Sequence, residues 1–321
     1  MRYAVIADVH GNYPALQAVL RDAEQAGAEQ FLFLGDYITD FPFTREIVAV
    51  LRSLPHAVFV SGNREWYLDS LDPAQRGLEQ YAALFLTRDA LRPEELAWVK
   101  QLPRTAKLPT PDGARTLYLQ HESPVALDHR GQKTPASGEL DELFPQQDAT
   151  GAQVARYVRK SFLSNPQLPS FLRQTGASVF LHGHSHLQYA VEVEGVLLLN
   201  PGSCGLPLDH RRGAPYTLLD YEAGRFTAEE RRVPYDVDSF VSAVQQSPEY
   251  EKAAGWNQLN LWQLCAARDY NRVFFQMLQE EKRLGRSQTD QEQNQAFHRA
   301  LSRTKAYYEN RAALGSKEQS E

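Results

Sequence analysis

Cysteine is scarce in this 321-residue chain: Cys204 and Cys265 are the only two. Two cysteines cannot build a disulfide framework, which excludes a stapled secreted scaffold and fits a reducing cytoplasm. Long apolar runs are also missing; none approaches the ~18 residues of a membrane span. The N-terminus, Met1-Arg2-Tyr3-Ala4-Val5-Ile6-Ala7-Asp8, meets an acid before the ~7–15 uninterrupted apolar residues of a secretory signal accumulate. Nor is there a basic excess. Lys+Arg number 34 against Asp+Glu 40, a formal net charge of −6, which argues against nucleic acid as a partner because such binding is built on a basic surface. What is there, 42% hydrophobic and 23% charged residues, is ordinary for a soluble globular chain. The length allows one large domain or two smaller ones.

Short β-branched and aromatic runs recur: Tyr3–Ala7, Phe31–Leu34, Ala57–Val60, Thr116–Gln120, Ser178–Leu181 and Val196–Leu199. Each is continuously apolar over four or five residues, as expected for strands covered on both faces. Between the first two, Leu16, Val19, Leu20 and Ala23 repeat at helical spacing and Gly27 supplies a stop; residues 43–53 follow the same pattern. Strand–helix alternation of this kind reads as α/β. Residues 123–164 lack a steady period until 152–162 and read as a long insertion over one end of the sheet. From Val237 the pattern turns helical. Ser247-Pro248 reads as a helix start, apolar residues such as Leu261, Leu264, Phe274, Leu278, Phe297 and Leu301 recur at helical spacing, and Gly285-Arg286-Ser287 breaks the series. The expected division is a domain over 1–236 and a helical extension over 237–321, whose apolar stripes cover either the main domain or a second copy in a homodimer.

The chemistry sits where the strands end. The successive runs terminate in Asp8-Val9-His10-Gly11-Asn12, Gly35-Asp36, Gly62-Asn63-Arg64-Glu65, His121-Glu122 and Gly183-His184-Ser185-His186. Ligands of open α/β sheets bind outside the carboxyl ends of the strands. Five strands therefore bring two aspartates, one asparagine and four histidines to one edge. In extended chain, residues i and i+2 face the same way, so Asp8 pairs with His10 and His184 with His186. Imidazole with carboxylate and amide oxygen, and no thiolate, suits manganese, iron or zinc. Seven donors exceed the needs of one tetrahedral ion and match two divalent ions sharing a carboxylate, Asp36 being the natural bridge. The glycines beside the ligands (Gly11, Gly35, Gly62, Gly183) are expected to let the backbone turn sharply off each strand.

With these motifs in this order, the chain resembles the calcineurin-like metallophosphoesterases over about residues 1–235. The resemblance implies a four-layer α/β/β/α sandwich, with Asp8, His10, Asp36 and His186 on one metal and Asp36, Asn63, His121 and His184 on the other. It implies hydrolysis of a phosphate ester or anhydride by a hydroxide bridging two divalent ions, with manganese expected in vitro. Asn200-Pro201-Gly202-Ser203 matches a family segment that packs behind the site. One departure matters: Arg64 stands where the family commonly has histidine after Gly-Asn. Arginine stabilises charge and grips phosphate with two prongs but is a poor general acid.

Asp36, Asn63 and Arg64 are therefore the expected catalytic residues, with Arg64, Asn12 and Tyr37 as expected substrate contacts and Phe41 and Arg130 as further lining. His129 and Glu122 are the candidate acids from elsewhere. The loss of an obligate proton donor costs least with stable leaving groups, which favours a small nucleotide-type substrate such as a dinucleoside polyphosphate or an activated phosphodiester. Two competing readings are a protein serine/threonine phosphatase and a non-catalytic scaffold like the retromer subunit of this fold; a scaffold is free to lose ligands, and none is lost here.

Overall fold

The computed structural model describes residues 1–125, 134–145, 147–284 and 289–318, with side chains described up to Arg311. Among the described residues, ten strands form two five-stranded sheets. The first contains β1 (Arg2–Ile6), β2 (Gln30–Phe33), β3 (Ala57–Phe59), β9 (Ala214–Glu222) and β10 (Arg225–Val233) in the order β10-β9-β1-β2-β3. The second contains β4 (Thr105–Pro109), β5 (Thr116–Gln120), β6 (Val179–Leu181), β7 (Gln188–Val193) and β8 (Val196–Pro201) in the order β4-β5-β6-β8-β7. β1, β2 and β3 run parallel, as do β5, β6 and β8; the outer strands pair antiparallel.

The apolar runs end up where a doubly covered strand must be. Val5, Ala7, Leu32 and Leu34 of the first sheet face Leu117, Leu119, Val179 and Leu181 of the second, all fully buried. Each such leucine removed from water contributes about 1.5–3 kcal/mol. Helices α1 (Tyr13–Gln25) and α2 (Thr44–Ser53) cover the outer face of the first sheet with Leu16, Val19, Ile47 and Leu51. Gly27, in the left-handed conformation (φ +79°), closes α1 by letting Ala28 N–H reach the Ala23 carbonyl. Next come α3 (Asn63–Ser70), α4 (Glu79–Ala90) and α5 (Pro93–Gln101), then the short α6 (Leu140–Leu143). The outer face of the second sheet is covered by α7 (Gly151–Leu163) and α8 (Leu168–Thr175) through Val154, Val158, Phe162 and Leu172. The molecule is thus the four-layer α/β/β/α sandwich, with helices α9 (Val237–Gln245), α10 (Ala254–Ala266), α11 (Asn271–Arg283) and α12 (Asp290–Glu318) following it.

Three expectations change. The far end of the 123–164 insertion is α7, capped by Thr150, and it belongs to the outer helical layer rather than lying over a sheet end. Ser247-Pro248 sits in a turn, and the next α-helix begins at Ala254. Strands β4, β7, β9 and β10 have no counterpart among the apolar runs, because β4 and β10 alternate exposed and half-buried residues (Glu229, Glu230, Arg231 and Arg232 in β10) and read as polar chain. The break at 285–287, His129 and Arg130 lie outside the described residues.

Candidate metal centre

The ligand-bearing turns meet at the carboxyl ends of β1, β2, β3, β5 and β6. Their backbone is unusual: Asp8 (φ +54°), His10 (+50°), Asp36 (+54°), His184 (+68°) and His186 (+56°) all occupy the left-handed region. Non-glycine residues enter that region at a cost and persist there where the surroundings over-determine them, a pattern concentrated at functional sites. The turning is therefore done by the ligands themselves. Of the neighbouring glycines, Gly11 and Gly35 share the positive φ, but Gly62 and Gly183 do not. Those two are needed for close approach instead: a Cβ on Gly62 would lie 2.2 Å from Asp36 Oδ1, and one on Gly183 2.6 Å from Asp8 Oδ2.

Two groups of donors result, Asp8–His10–His186 and Asp8–Asp36–His121, so Asp8 belongs to both. Asp36 Oδ2 stands between them, 4.0 Å from His10 Nε2 and 3.4 Å from His121 Nε2. Asn63 Oδ1 lies 3.0 Å from His121 Nε2 and 2.8 Å from His184 Nδ1, adding the remaining two donors to the second group. His10 Nε2 and His186 Nε2 face each other at 3.2 Å.

The opposite nitrogens decide what those faces offer. His186 Nδ1 lies 2.7 Å from the Leu206 carbonyl, His121 Nδ1 2.7 Å from the Leu34 carbonyl, and His10 Nδ1 2.7 Å from Asp40 Oδ2. A carbonyl at that distance requires a proton on Nδ1 of His121 and His186, so that Nε2 is the nitrogen aimed into the centre. Burial opposes charge on His121, but Asp36 and Asp8 outweigh it and raise it to about 10, and a bound cation would take the place of that Nε2 proton. Lone pairs facing one another beside buried carboxylates fit divalent cations, and anchoring the far nitrogen is how metal-ligating histidines are oriented. Burial pushes His184 down to about 4 and His186 well below the ordinary imidazole value, so both are neutral near pH 7. Asp36 is held well below the carboxylate range, since the attraction of His121, His10 and Arg64 outweighs its burial. Asp8, fully buried, is pushed up to about 7 by desolvation. A cation in contact would keep it ionised.

The surrounding residues brace this arrangement. Glu65 is buried, and its carboxylate accepts the backbone N–H groups of Asp36, Tyr37 and Gly62 at 2.7–2.9 Å, tying the second strand end to the third. Arg64 donates its backbone N–H to Asp36 Oδ1 (2.8 Å), while its Nε pairs with Asp40 Oδ2 at 3.1 Å. Burial opposes the charge of Arg64, but Asp40 and Asp36 outweigh it and raise its pKa further. Asn200 Nδ2 donates to the Gly183 carbonyl and Ser203 Oγ to the Asp8 carbonyl, both at 2.7 Å, so this segment packs behind the centre. Cys204 is buried, with its thiol pushed up by desolvation, an inert packed residue.

Two expected substrate contacts are corrected. Tyr37 is fully buried, its hydroxyl donating its one proton between the Phe33 and Val60 carbonyls and accepting Gly35 N–H; it is core. Asn12 is fully buried too: Oδ1 caps α1 at Ala15 N–H, and Nδ2 donates to the Gly205 carbonyl and to Tyr235 Oη. With every polar atom engaged, neither reaches a substrate. Phe41 packs with Phe240 and Leu264 in a core of the helical extension.

The residue that sequence reasoning missed is Asp40. Fully enclosed, it touches His10 and Arg64 and accepts Trp256 Nε1 at 2.7 Å from 216 residues away. Burial raises its pKa, but Arg64, His10 and Trp256 outweigh that and hold it down to about 2. An acid four residues after a strand-end Gly-Asp is the only local signal for it.

The comparisons with known proteins agree with this geometry. Residues 1–224 match the calcineurin-like phosphoesterase superfamily domain. An uncharacterized protein of Methanocaldococcus jannaschii is 28% identical over 243 residues, covering 73% of this chain and 88% of that one. Among solved structures, a metallophosphoesterase from Sphaerobacter thermophilus superposes with a TM-score of 0.55 at 22% identity, covering 83% of this chain and all of the other. A hypothetical protein from Pyrococcus horikoshii OT3 superposes with a TM-score of 0.56 at 18% identity, covering 82% and 98%. These two likenesses speak to the fold. With the domain match extending over most of its length, this chain belongs to the calcineurin-like phosphoesterase superfamily.

Proposed function

We propose that the protein is a two-metal phosphoesterase that hydrolyses a nucleotide-type phosphoanhydride or an activated phosphodiester. The observation that carries this reading is the set of imidazoles His10, His121 and His186, each anchored through Nδ1 and each presenting Nε2 to shared carboxylates. Asp8, His10, Asp36 and His186 would hold one divalent cation and Asp36, Asn63, His121 and His184 the other, with manganese the expected ion in vitro. When bound, such a pair polarises phosphoryl oxygens and makes water acidic enough to attack near neutral pH.

The chain's own contribution is positioning and charge. Arg64 sits beside Asn63; its Nε makes an ion-pair contact with Asp40 but no hydrogen bond, and among the described residues its terminal nitrogens make none either. Two donors therefore remain for a phosphoryl or leaving-group oxygen. Because Arg64 stays protonated throughout, it stabilises negative charge on the departing oxygen without delivering a proton. That suits phosphate and aryl leaving groups and handicaps a basic serine alkoxide. The test is a panel of diadenosine tetraphosphate, bis-p-nitrophenyl phosphate and a phosphoserine peptide, each run with manganese and with chelator. Chelator-sensitive turnover favouring the first two is the expected result. A preference for the peptide overturns the substrate reading, and a folded protein without metal or turnover supports the scaffold.

A further inference from the structure

Beside Asn63 and Arg64 opens a cavity of about 430 Å³, within the ~300–1,000 Å³ that take small organic ligands. Its walls come from two parts of the chain. The sandwich domain supplies α3 and α4 with the turn between them, and the extension supplies Trp256 of α10 and Asn271 and Phe275 of α11. On α3, Tyr67 lies three and four residues beyond Arg64 and Asn63, hence on the same helical face. The wall of the cavity thus continues directly from the metal centre.

The lining has a definite chemistry. The guanidinium carbon of Arg64 lies 5.9 Å from the Trp256 ring centroid, and Trp256 lies 6.3 Å from Phe275, an aromatic series leading away from the phosphate-gripping arginine. Tyr67 and Phe275 are 43% and 36% exposed, unusually open for large apolar side chains, and both face this space with Tyr81. The neutral polar lining includes the carboxamides Gln75, Gln80 and Asn271, which offer both donors and acceptors, beside the hydroxyl residues Thr39 and Ser70. Among the described residues, the charged members of the lining are Arg64 and Asp40, in ion-pair contact with each other. Flat rings to stack on, amides to read an edge, and no free charge describe the surroundings of a neutral heteroaromatic ring. A phosphopeptide, by contrast, would find no second cation here.

We propose that this cavity is the subsite for the nucleobase on the leaving-group side, so that helices α10 and α11 are part of the active site. The proposal rests on the reading of Arg64 as facing the leaving group. Base–aromatic stacking also works without a metal, which separates the two claims experimentally. Calorimetric binding of AMP in metal-free buffer is compared between the intact protein and a Tyr67→Ala/Phe275→Ala double variant. Both positions are exposed, so their truncation spares the core. The expected result is a five- to hundredfold weaker binding in the variant, largely restored when Phe275 is instead replaced in Phe275→Tyr/Tyr67→Phe. With manganese, the ratio of kcat/KM for diadenosine tetraphosphate to that for tripolyphosphate, which has no base, falls at least fivefold. AMP that does not bind the intact protein, or binds the double variant equally well, overturns the subsite. Should AMP binding behave as stated while neither substrate is hydrolysed, the subsite stands and the two-metal reading fails.

Discussion

The rim of the sandwich and the helical extension bury polar groups for different purposes. At the rim, residues from five strand ends point their donors inward at one another, and a shared cation would reconcile two imidazole nitrogens 3.2 Å apart with the carboxylates on either side. In the extension, the buried polar groups form a chain instead. Trp256 donates to Asp40, Asn260 comes within 3.5 Å of the same carboxylate, Gln263 donates to Asn260, and Gln263 in turn accepts the first amides of α11 from Tyr270 and Asn271. One region supplies ligands. The other supplies orientation, and it reaches the centre through the Asp40 carboxylate beside His10 and Arg64 and through the Trp256 ring next to the Arg64 guanidinium. The lesson is that the extension is joined to the chemistry by hydrogen bonds, while apolar contacts such as Leu206 and Leu208 on Leu261 and Leu264 only keep it in place.

This contrast can be broken or sharpened by experiment. The largest effect belongs to the rim: Asp36→Asn or His184→Ala, like chelation of the intact protein, is expected to lower turnover at least ~1,000-fold and to reduce bound manganese measured by elemental analysis. Retained turnover would mean the activity lies elsewhere. Next comes Asp40→Asn, which leaves all seven ligands in place but loosens His10 and Arg64; a loss of about 10–100-fold in metal affinity or kcat is expected. If it behaves like wild type, the bridge between the regions is decorative.

Trp256→Phe is smaller and more specific, because it keeps the ring under Arg64 and removes only the N–H to Asp40. A fall of about tenfold in kcat with metal content unchanged marks a positioning residue; loss of bound metal would instead show that the extension holds the ligands. The smallest effect concerns stability. The Asp141 carboxylate in α6 pairs with His210 and Arg268, and its backbone carbonyl accepts from Arg311 of α12. Burial raises its pKa, but His210 and Arg268 outweigh that and lower it. A depressed carboxyl stabilises the fold at pH values above its unfolded pKa of ~3.9, and the contribution disappears as pH falls through the native value. Acid should therefore lower the melting temperature, and Asp141→Asn should flatten that dependence while reducing stability near neutrality.

How much of this was readable in advance follows from distance along the chain. Asp8, His10, Asp36, Asn63, His121, His184 and His186 each follow directly on a run of buried strand residues, so local pattern was enough to mark them. Tyr37 and Asn12 misled for the same reason: they follow the same strand ends, and only packing shows that Tyr37 turns back to Phe33 and Val60 while Asn12 caps α1. The antiparallel strand β10 escaped notice because one of its faces meets water and carries charges; β9 is buried along nearly its whole length, but Pro215, Thr217 and Asp220 interrupt its apolar run.

Composition, the order of apolar runs and the residues that end them were sufficient for the α/β class and for a donor set suited to paired cations. That information is local, since a strand end and its turn lie within a few residues. The partnership of Asp40 with Trp256, the enclosure of Asn12 and Tyr37, and the aromatic cavity between α3 and α11 came into being only on folding. Apart from Tyr37, whose partners Phe33 and Val60 are near in sequence, they join groups about two hundred residues apart, and contacts across such separations leave no periodicity along the chain to be read.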